Sequence, residues 1–205
     1  MAYDRALWEK AVAFHGHECI GLAWGFKVAE AALKNLEADR DIDEEILAIV
    51  ENDSCAVDAI QFITGCTLGK GNLIFHDFGK PVYTFVLRKS GKAIRIIFDD
   101  QQEEEDEEMD LLRKKVFGGE ANEKEKKLFR DKTKEKQERI LSCPVSEVCR
   151  VEELKDFNPP EKARIFSSVI CSQCGEKVME PRARIKDGKP ACIPCSDKYS
   201  RGWMA

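Results

Sequence analysis

Ile46-Leu47-Ala48-Ile49-Val50, then Asn52-Asp53-Ser54, then Cys55-Ala56-Val57-Asp58-Ala59-Ile60-Gln61-Phe62-Ile63, closed by Gly65, is the run that sets the architecture. Five consecutive apolar residues are short for a helix and read as a buried strand. The Asn-Asp-Ser group offers side-chain oxygens that cap a helix start. The nine residues after it predict a helix, ended by a glycine that can take a left-handed C-cap. A buried strand feeding a helix places the chain among mixed α and β folds.

On the N-terminal side, Asp4 can cap a first helix running to about Phe14, with Leu7, Ala11 and Phe14 on one face. A break follows at His15-Gly16-His17-Glu18-Cys19-Ile20-Gly21. Leu22, Phe26, Ala29, Leu33 and Leu36 then recur at steps of three and four, the spacing of one buried helical stripe. On the C-terminal side, Leu73 to Phe75, Val82 to Leu87 and Ala93 to Phe98 are strand-like. Gly79-Lys80-Pro81 and Lys89-Ser90-Gly91-Lys92 are turn signals between them. The expected core is α+β, a mixed sheet with helices packed on it.

The chain has 205 residues, 43% hydrophobic and 35% charged, with a formal net charge of -5. That balance excludes a protein that coats nucleic acid through bulk positive charge. No apolar run approaches the ~18 residues of a membrane span. The start, Met1-Ala2-Tyr3-Asp4-Arg5, lacks the layout of a signal peptide. The expectation is a soluble, cytoplasmic protein with no membrane partner.

Charge is concentrated in residues 99–141. Most positions from Asp99 to Asp110 are acidic, and Arg113 to Arg139 is rich in lysine and arginine with six acids interleaved. Met109, Leu112 and Val116 give a thin apolar stripe. The segment reads as a solvated helical pair joined by Gly118-Gly119, as an arm that packs on another subunit, or as a basic face for nucleic acid. The need to cover Met109, Leu112, Val116 and Phe129 favours a homodimer. Asn158-Pro159-Pro160 marks a boundary. The expected domains are 1–158, carrying the charged segment, and 159–205.

Nine cysteines and no signal peptide argue against a disulfide framework. Cys171-Ser172-Gln173-Cys174 and Cys192-Ile193-Pro194-Cys195 are two CxxC pairs with the spacing of a structural zinc site. Four thiolates close a tetrahedron and leave no open position. Gly175 relieves the knuckle after the first pair. Val178 to Ile185 and Pro190-Ala191 flank a hairpin turn at Lys186-Asp187-Gly188-Lys189, and Ser196 to Arg201 can form helical turns. Knuckle, hairpin and helix are the layout of a treble-clef finger. So small a module needs metal to fold. Lys177, Arg182, Arg184, Lys186 and Lys189 give it a basic surface that suits nucleic acid or an acidic protein face. Cys143 and Cys149 fit no knuckle and read as buried or unassigned.

The second candidate site is His15, His17 and Cys19 at a break before a helix, with Cys55 opening another helix. Imidazole and thiolate suit zinc or another late divalent metal. A helix N-terminus also lowers a thiol pKa, which favours the thiolate at Cys19. The competing reading is a capped His-Gly-His turn with two buried thiols. Gly65-Cys66-Thr67-Leu68-Gly69-Lys70-Gly71 suggests a phosphate loop, but three residues rather than four separate its first glycines and Gly71 stands where Ser or Thr is required. A tight glycine-rich connection is the simpler reading.

Phe14-His15-Gly16-His17-Glu18-Cys19-Ile20-Gly21-Leu22 with Gly25, Cys55 to Gln61, and Thr64-Gly65-Cys66-Thr67-Leu68-Gly69-Lys70-Gly71-Asn72-Leu73 resemble three ordered blocks of the FmdE family, named after a component of molybdenum formylmethanofuran dehydrogenase. One departure is Ile20, where the family favours Pro. The resemblance implies a thioredoxin-like α+β core, a cleft able to hold zinc lined by His15, His17, Cys19 and Cys55, and a zinc-finger tail. It also implies an accessory or catalytic role in one-carbon or molybdoenzyme metabolism beside molybdenum oxidoreductase subunits. In a catalytic role His17, Cys19 and Cys55 would serve the reaction, with Asp58 as proton acceptor. The alternative function is a zinc-finger regulator of nucleic acid or a protein partner, its N-terminal domain sensing a metal or ligand.

Overall fold

The structure is a computed structural model that describes residues 3–100 and 106–197. The chain divides into two compact units, Met1–Lys162 and Ala163–Ala205.

In the first unit, β1 (Ile46–Val50), β2 (Leu73–Phe75), β3 (Val82–Leu87), β4 (Lys92–Phe98) and β5 (Cys149–Leu154) form one sheet in the order β2-β1-β3-β4-β5. β1 and β2 run parallel and the other neighbours antiparallel. A parallel pair needs a crossover between its strands. Helix α3 (Ala56–Thr64) supplies it where the sequence predicts a helix, but the expected Asn-Asp-Ser cap does not form: the N-cap is Cys55, without a side-chain cap bond, and Asn52 Oδ1 accepts the Ser54 N–H at 3.2 Å instead. This is the expected mixed α+β architecture.

Side-chain alternation gives the sheet two buried faces. Ile46, Ala48, Val50, Tyr83, Phe85, Ile94 and Ile96 join the main core with α1 (Arg5–His15), α2 (Ile20–Leu36) and α3. Leu47, Ile49, Val86 and Ala93 face the other way, under Ile74, Leu154 and Phe157. β1 is buried at every position, which is why it reads as an unbroken apolar run rather than an alternating one.

Strand β5 has no clear signal in the sequence. Cys149 pairs with Phe98 and Leu154 with Ala93, so the chain returns to the sheet edge after the charged segment. As an edge strand it carries Arg150, Glu152 and Glu153, which masks the apolar signal. Cys149 is buried, and that burial pushes its thiol up to about 12. It is a core thiol.

The charged segment forms α4 (Glu107–Phe117) and α5 (Glu123–Ser142), followed by the short α6 (Val145–Val148). Asn122 and Glu125 cap α5 reciprocally. Lys132 bridges to Asp106 at 2.9 Å and Glu108 at 2.6 Å, and Lys115 reaches Glu125 at 2.5 Å. Such exposed pairs contribute at most ~1 kcal/mol each. Apolar contact does more: Gln137, Ile140 and Leu141 are buried, and the last two join the main core. The second half of α5 is therefore part of this unit's own core.

In the second unit, β6 (Ser168–Ile170) pairs with β7 (Lys177–Met179), and β8 (Arg184–Lys186) with β9 (Lys189–Ala191). The turn after Lys186 forms where expected. The strand expected from Val178 to Ile185 does not run through. A 3-10 turn at Glu180–Arg182 interrupts it, because Pro181 has no N–H for a ladder. Ile193–Cys195 is another 3-10 turn, and most of the helix expected over 196–201 lies outside the described residues.

Candidate metal centres and the chambers beside the N-terminal cluster

The N-terminal centre is built by three helix ends. His15 is the last residue of α1, and Gly16 caps that helix at φ 96. Cys19 is the N-cap of α2, its sulfur accepting the Leu22 N–H at 3.3 Å. Cys55 is the N-cap of α3 and its sulfur makes no capping bond. Two glycines on successive turns of α2 bring the last two together. A Cβ on Gly25 would stand 2.1 Å from the Ala56 carbonyl oxygen, and one on Gly21 would stand 3.2 Å from the Cys55 Cβ. Only a helix face without side chains lets the start of α3 lie so close.

One ligand atom each of His15, Cys19 and Cys55 falls within 4.8 Å of the other two. Tetrahedral zinc with bonds of ~2.1–2.3 Å requires ligand atoms ~3.7 Å apart, so small side-chain adjustments complete the fit. Asp58 sits in the first turn of α3 and its Oδ2 lies 2.8 Å from His15 Nδ1, while Gln61 Nε2 donates to Asp58 Oδ1 at 3.3 Å. With Nδ1 donating to the carboxylate, Nε2 carries the lone pair. It lies 3.8 Å from Cys19 Sγ, on the side of the cluster. Carboxylate–histidine pairing of this kind fixes the tautomer of a metal ligand. His17 is exposed, its ring 4.5 Å from that of His15, and lies outside the three-residue cluster.

The expectation of a lowered thiol pKa at Cys19 is overturned. Burial, together with the neighbouring Cys55 sulfur, pushes it up to about 11, against the opposing Leu22 N–H. Desolvation exceeds the helix-end field here. Cys66 stands apart from the cluster: it is fully buried, donates to the Ile46 carbonyl at 3.5 Å, and burial pushes it up to about 12.

The glycine-rich segment does not present a phosphate cradle. Lys70 Nζ contacts the buried Asp41 Oδ2 at 2.5 Å and the Ile42 carbonyl at 3.2 Å, so its charge is already used.

Two chambers open beside the cluster. One, of about 420 Å³, is lined by His15, Cys55, Asp58, Asn52 and Ser54 among others. The other, of about 740 Å³, reaches Cys19 and Cys55 from the side of α4 and α5. The sequence marks Met109 and Phe129 of this lining as apolar residues in need of cover, but the chamber's other arm residues escape a reading of the sequence alone. Their signal is Phe129, Thr133 and Gln137, a four-residue repeat on one face of α5 that a purely hydrophobic pattern search passes over.

In the second unit, the sulfurs of Cys171, Cys174, Cys192 and Cys195 lie within 4.8 Å of one another. Gly175 takes φ 77 after the first pair, as the knuckle requires. The Cys192 N–H donates to Cys171 Sγ at 3.3 Å. Backbone donors from Cys174, Cys192 and Gln173 hold the Cys171 thiol down to about 6. Cys171 alone is favoured as thiolate in this way; the Cys192 sulfur pushes the Cys195 thiol up to about 12, and Cys174 is raised as well.

The family model described as FmdE, Molybdenum formylmethanofuran dehydrogenase operon, matches residues 14–150, a span that contains all three residues of the N-terminal cluster. This chain belongs to the FmdE family. The model of the prokaryotic dksA/traR C4-type zinc finger matches residues 164–201, and with the four clustered sulfurs it makes the tail a structural zinc finger. A relative from Archaeoglobus fulgidus, described as a probable S-adenosyl-L-methionine-binding protein, is 34% identical over 197 residues. The match covers 93% of this FmdE-family chain and 52% of that relative, so the chain spans about half the relative's length. The crystal structure of an FmdE-like protein of the tungsten formylmethanofuran dehydrogenase type, from Syntrophus aciditrophicus, superposes with a TM-score of 0.61 at 25% identity. That likeness covers 95% of this chain and 96% of the other. Among the described residues, no helix is long and apolar enough to cross a membrane.

Proposed function

We propose that this FmdE-family protein carries a second metal at its N-terminal cleft, held by His15 Nε2, Cys19 Sγ and Cys55 Sγ, and that this centre serves one-carbon or molybdoenzyme metabolism. The observation that carries the reading is the convergence of those three ligand atoms from three helix ends. Three ligands leave a fourth position open, the arrangement of catalytic rather than structural zinc. A bound metal there would polarise a carbonyl or acidify a water. His15 is oriented for it by Asp58, which makes Asp58 a positioning residue and the nearest proton acceptor. His17, exposed beside the His15 ring, would serve as a proton donor or acceptor in this reading. The zinc finger closes its own four ligands and so supplies folding energy and a docking surface rather than chemistry. Docking to subunits of a molybdenum or tungsten oxidoreductase agrees with the family and with the structural neighbour.

The test is metal content. Wild-type protein is expected to hold two zinc ions per chain by inductively coupled plasma mass spectrometry. Cys19→Ser should lose the N-terminal ion and Cys192→Ser the finger's ion, each leaving one. One ion in the wild type, retained by Cys19→Ser, refutes the N-terminal centre.

We further infer a homodimer built through the arm. Met109 and Leu112, two of the residues expected to need cover, are already buried within this unit, but Leu111 and Leu128 are 59% and 40% exposed on the arm, apolar surface that a monomer leaves in water. Light scattering is expected to give twice the chain mass, and Leu111→Glu with Leu128→Glu to give the chain mass.

A regulator reading has its own support in the dksA/traR-type finger and its exposed Lys177, Arg182, Arg184 and Lys189. Duplex DNA binding that weakens steeply with salt would favour it.

A further inference from the structure

The chamber on the arm side is not required by a metal centre, and its lining is unlike a gap left by poor packing. Its volume of about 740 Å³ falls within the ~300–1,000 Å³ of small-molecule sites. Apolar rings from both sides of the chamber line it: Trp24 from α2, Phe117 from α4 and Phe129 from α5. Trp24 already stacks on Phe98 at 4.7 Å, so its ring plane is fixed.

The polar lining is strongly biased. Among the described residues, Arg113, Arg130, Lys134 and Lys136 contribute to it, beside the carboxylate of Glu18; Arg113 is already paired with Asp110 at 3.0 Å and Lys136 has a partner of its own. Arg130 and Lys134 are exposed and, among the described residues, neither takes part in an ion pair. They lie four residues apart on α5, hence on one face.

Two polar atoms with no hydrogen-bond partner are buried in this same lining: Trp24 Nε1 and Thr133 Oγ1. Leaving such an atom unpaired costs ~1–3 kcal/mol, and each instance calls for an explanation. An indole N–H can only donate. Neither atom is accessible to water, so an occupant of the chamber meets them only if the lining shifts; Arg130 and Lys134 are what ask for an anionic occupant.

We propose that this chamber binds a planar anionic organic molecule, an aromatic or heteroaromatic ring bearing a carboxylate, sulfonate or phosphate. The ring would lie among Trp24, Phe117 and Phe129, and the acid would reach Arg130 and Lys134. The floor of the chamber is Cys19 and Cys55, so the ligand would lie against the metal centre. This deepens the catalytic reading by naming the class of molecule presented to that centre. It rests on that reading for what happens next, but binding itself does not require the metal.

The probe is 8-anilinonaphthalene-1-sulfonate, a flat naphthalene ring carrying an anilino group and one fixed negative charge, followed by its fluorescence at low salt. Wild-type protein is expected to bind one molecule per chain. Removing an exposed charge partner changes affinity by up to about fivefold. Arg130→Gln with Lys134→Gln should therefore raise the Kd severalfold, by up to about twenty-fivefold. Neutral N-phenyl-1-naphthylamine should bind wild type and that double variant within twofold of each other, and Phe129→Ala should weaken both probes. Equal sulfonate affinity in wild type and the double variant overturns the proposal. So does a wild type that binds no probe, as when a second copy fills the chamber. If the sulfonate binds as predicted while wild type holds only the finger's zinc, the metal reading fails alone.

Discussion

Gly25→Ala is expected to force α3 off α2, lowering the urea midpoint and reducing zinc from two ions per chain to one, with the finger's ion retained. The reason is geometric. The added Cβ would stand 2.1 Å from the Ala56 carbonyl oxygen, 2.6 Å from its Cα and 2.7 Å from its carbonyl carbon. All three atoms are backbone, so no side chain can swing aside. Relief must move Ala56, and Ala56 directly follows Cys55, so the sulfur moves with it. Overpacking of this kind costs ~1–3 kcal/mol, and a rigid obstacle puts this site at or above the upper end. Helix propensity acts the other way, since Ala is better than Gly in a helix interior by ~1 kcal/mol. A net loss of stability would therefore isolate the packing effect. Gly21→Ala is the graded control: its Cβ would meet the Cys55 Cβ at 3.2 Å, a contact that a small shift accommodates. It should cost less and weaken zinc binding without abolishing it. An unchanged midpoint and two ions in Gly25→Ala would mean that the glycine face does not set the position of Cys55.

Local patterns are legible where one physical requirement governs a segment. The unbroken apolar run at Ile46–Val50 announces a central strand buried on both faces, and Asp4 and Gly65 mark helix ends that the structure keeps. The paired CxxC spacing announces four sulfurs around one point. Long-range partnerships are not legible. The charged look of residues 123–142 conceals that Ile140 and Leu141 belong to the core, because most of α5 is solvated and only its last turns are covered. The helix-end argument at Cys19 is sound in sign and too small in size, since it ignores the desolvation that the α2–α3 contact imposes. The grouping of His15, Cys19 and Cys55 follows from ligand chemistry and family likeness. What spacing cannot supply is the role of Asp58, forty-three positions from the ring it orients.

Asp41→Ala is expected to cost ~3–5 kcal/mol, the scale for breaking a buried charge pair by removing one partner. The Asp41 side chain is fully buried. Its Oδ1 accepts the Ile46 N–H at 2.8 Å, and its Oδ2 accepts Lys70 Nζ at 2.5 Å and Asn72 Nδ2 at 2.8 Å. Asn72 extends the network, donating to the carbonyls of Asp43 and Ile46 and accepting the Thr67 N–H. Gly65 completes it: its φ is 79, and a Cβ there would stand 2.3 Å from the Asp41 carbonyl oxygen. Every residue type in this group has one job, to fasten the exit of α3 to the first residue of β1. Removing the carboxylate strands two donors, the Ile46 N–H and Asn72 Nδ2, and leaves the partly exposed Lys70 able to reach solvent, whereas Lys70→Met leaves Asp41 two of its three donors but a fully buried charge without its counter-charge. Both variants should accordingly lose stability in urea melts, with the finger's zinc retained in both. A phosphate loop predicts a different pattern. There Lys70→Met would abolish binding of inorganic phosphate at little cost in stability, and Asp41→Ala would strengthen that binding by freeing the ammonium. Calorimetric titration of phosphate into wild type and both variants, beside the urea melts, separates the two roles by which quantity each substitution moves.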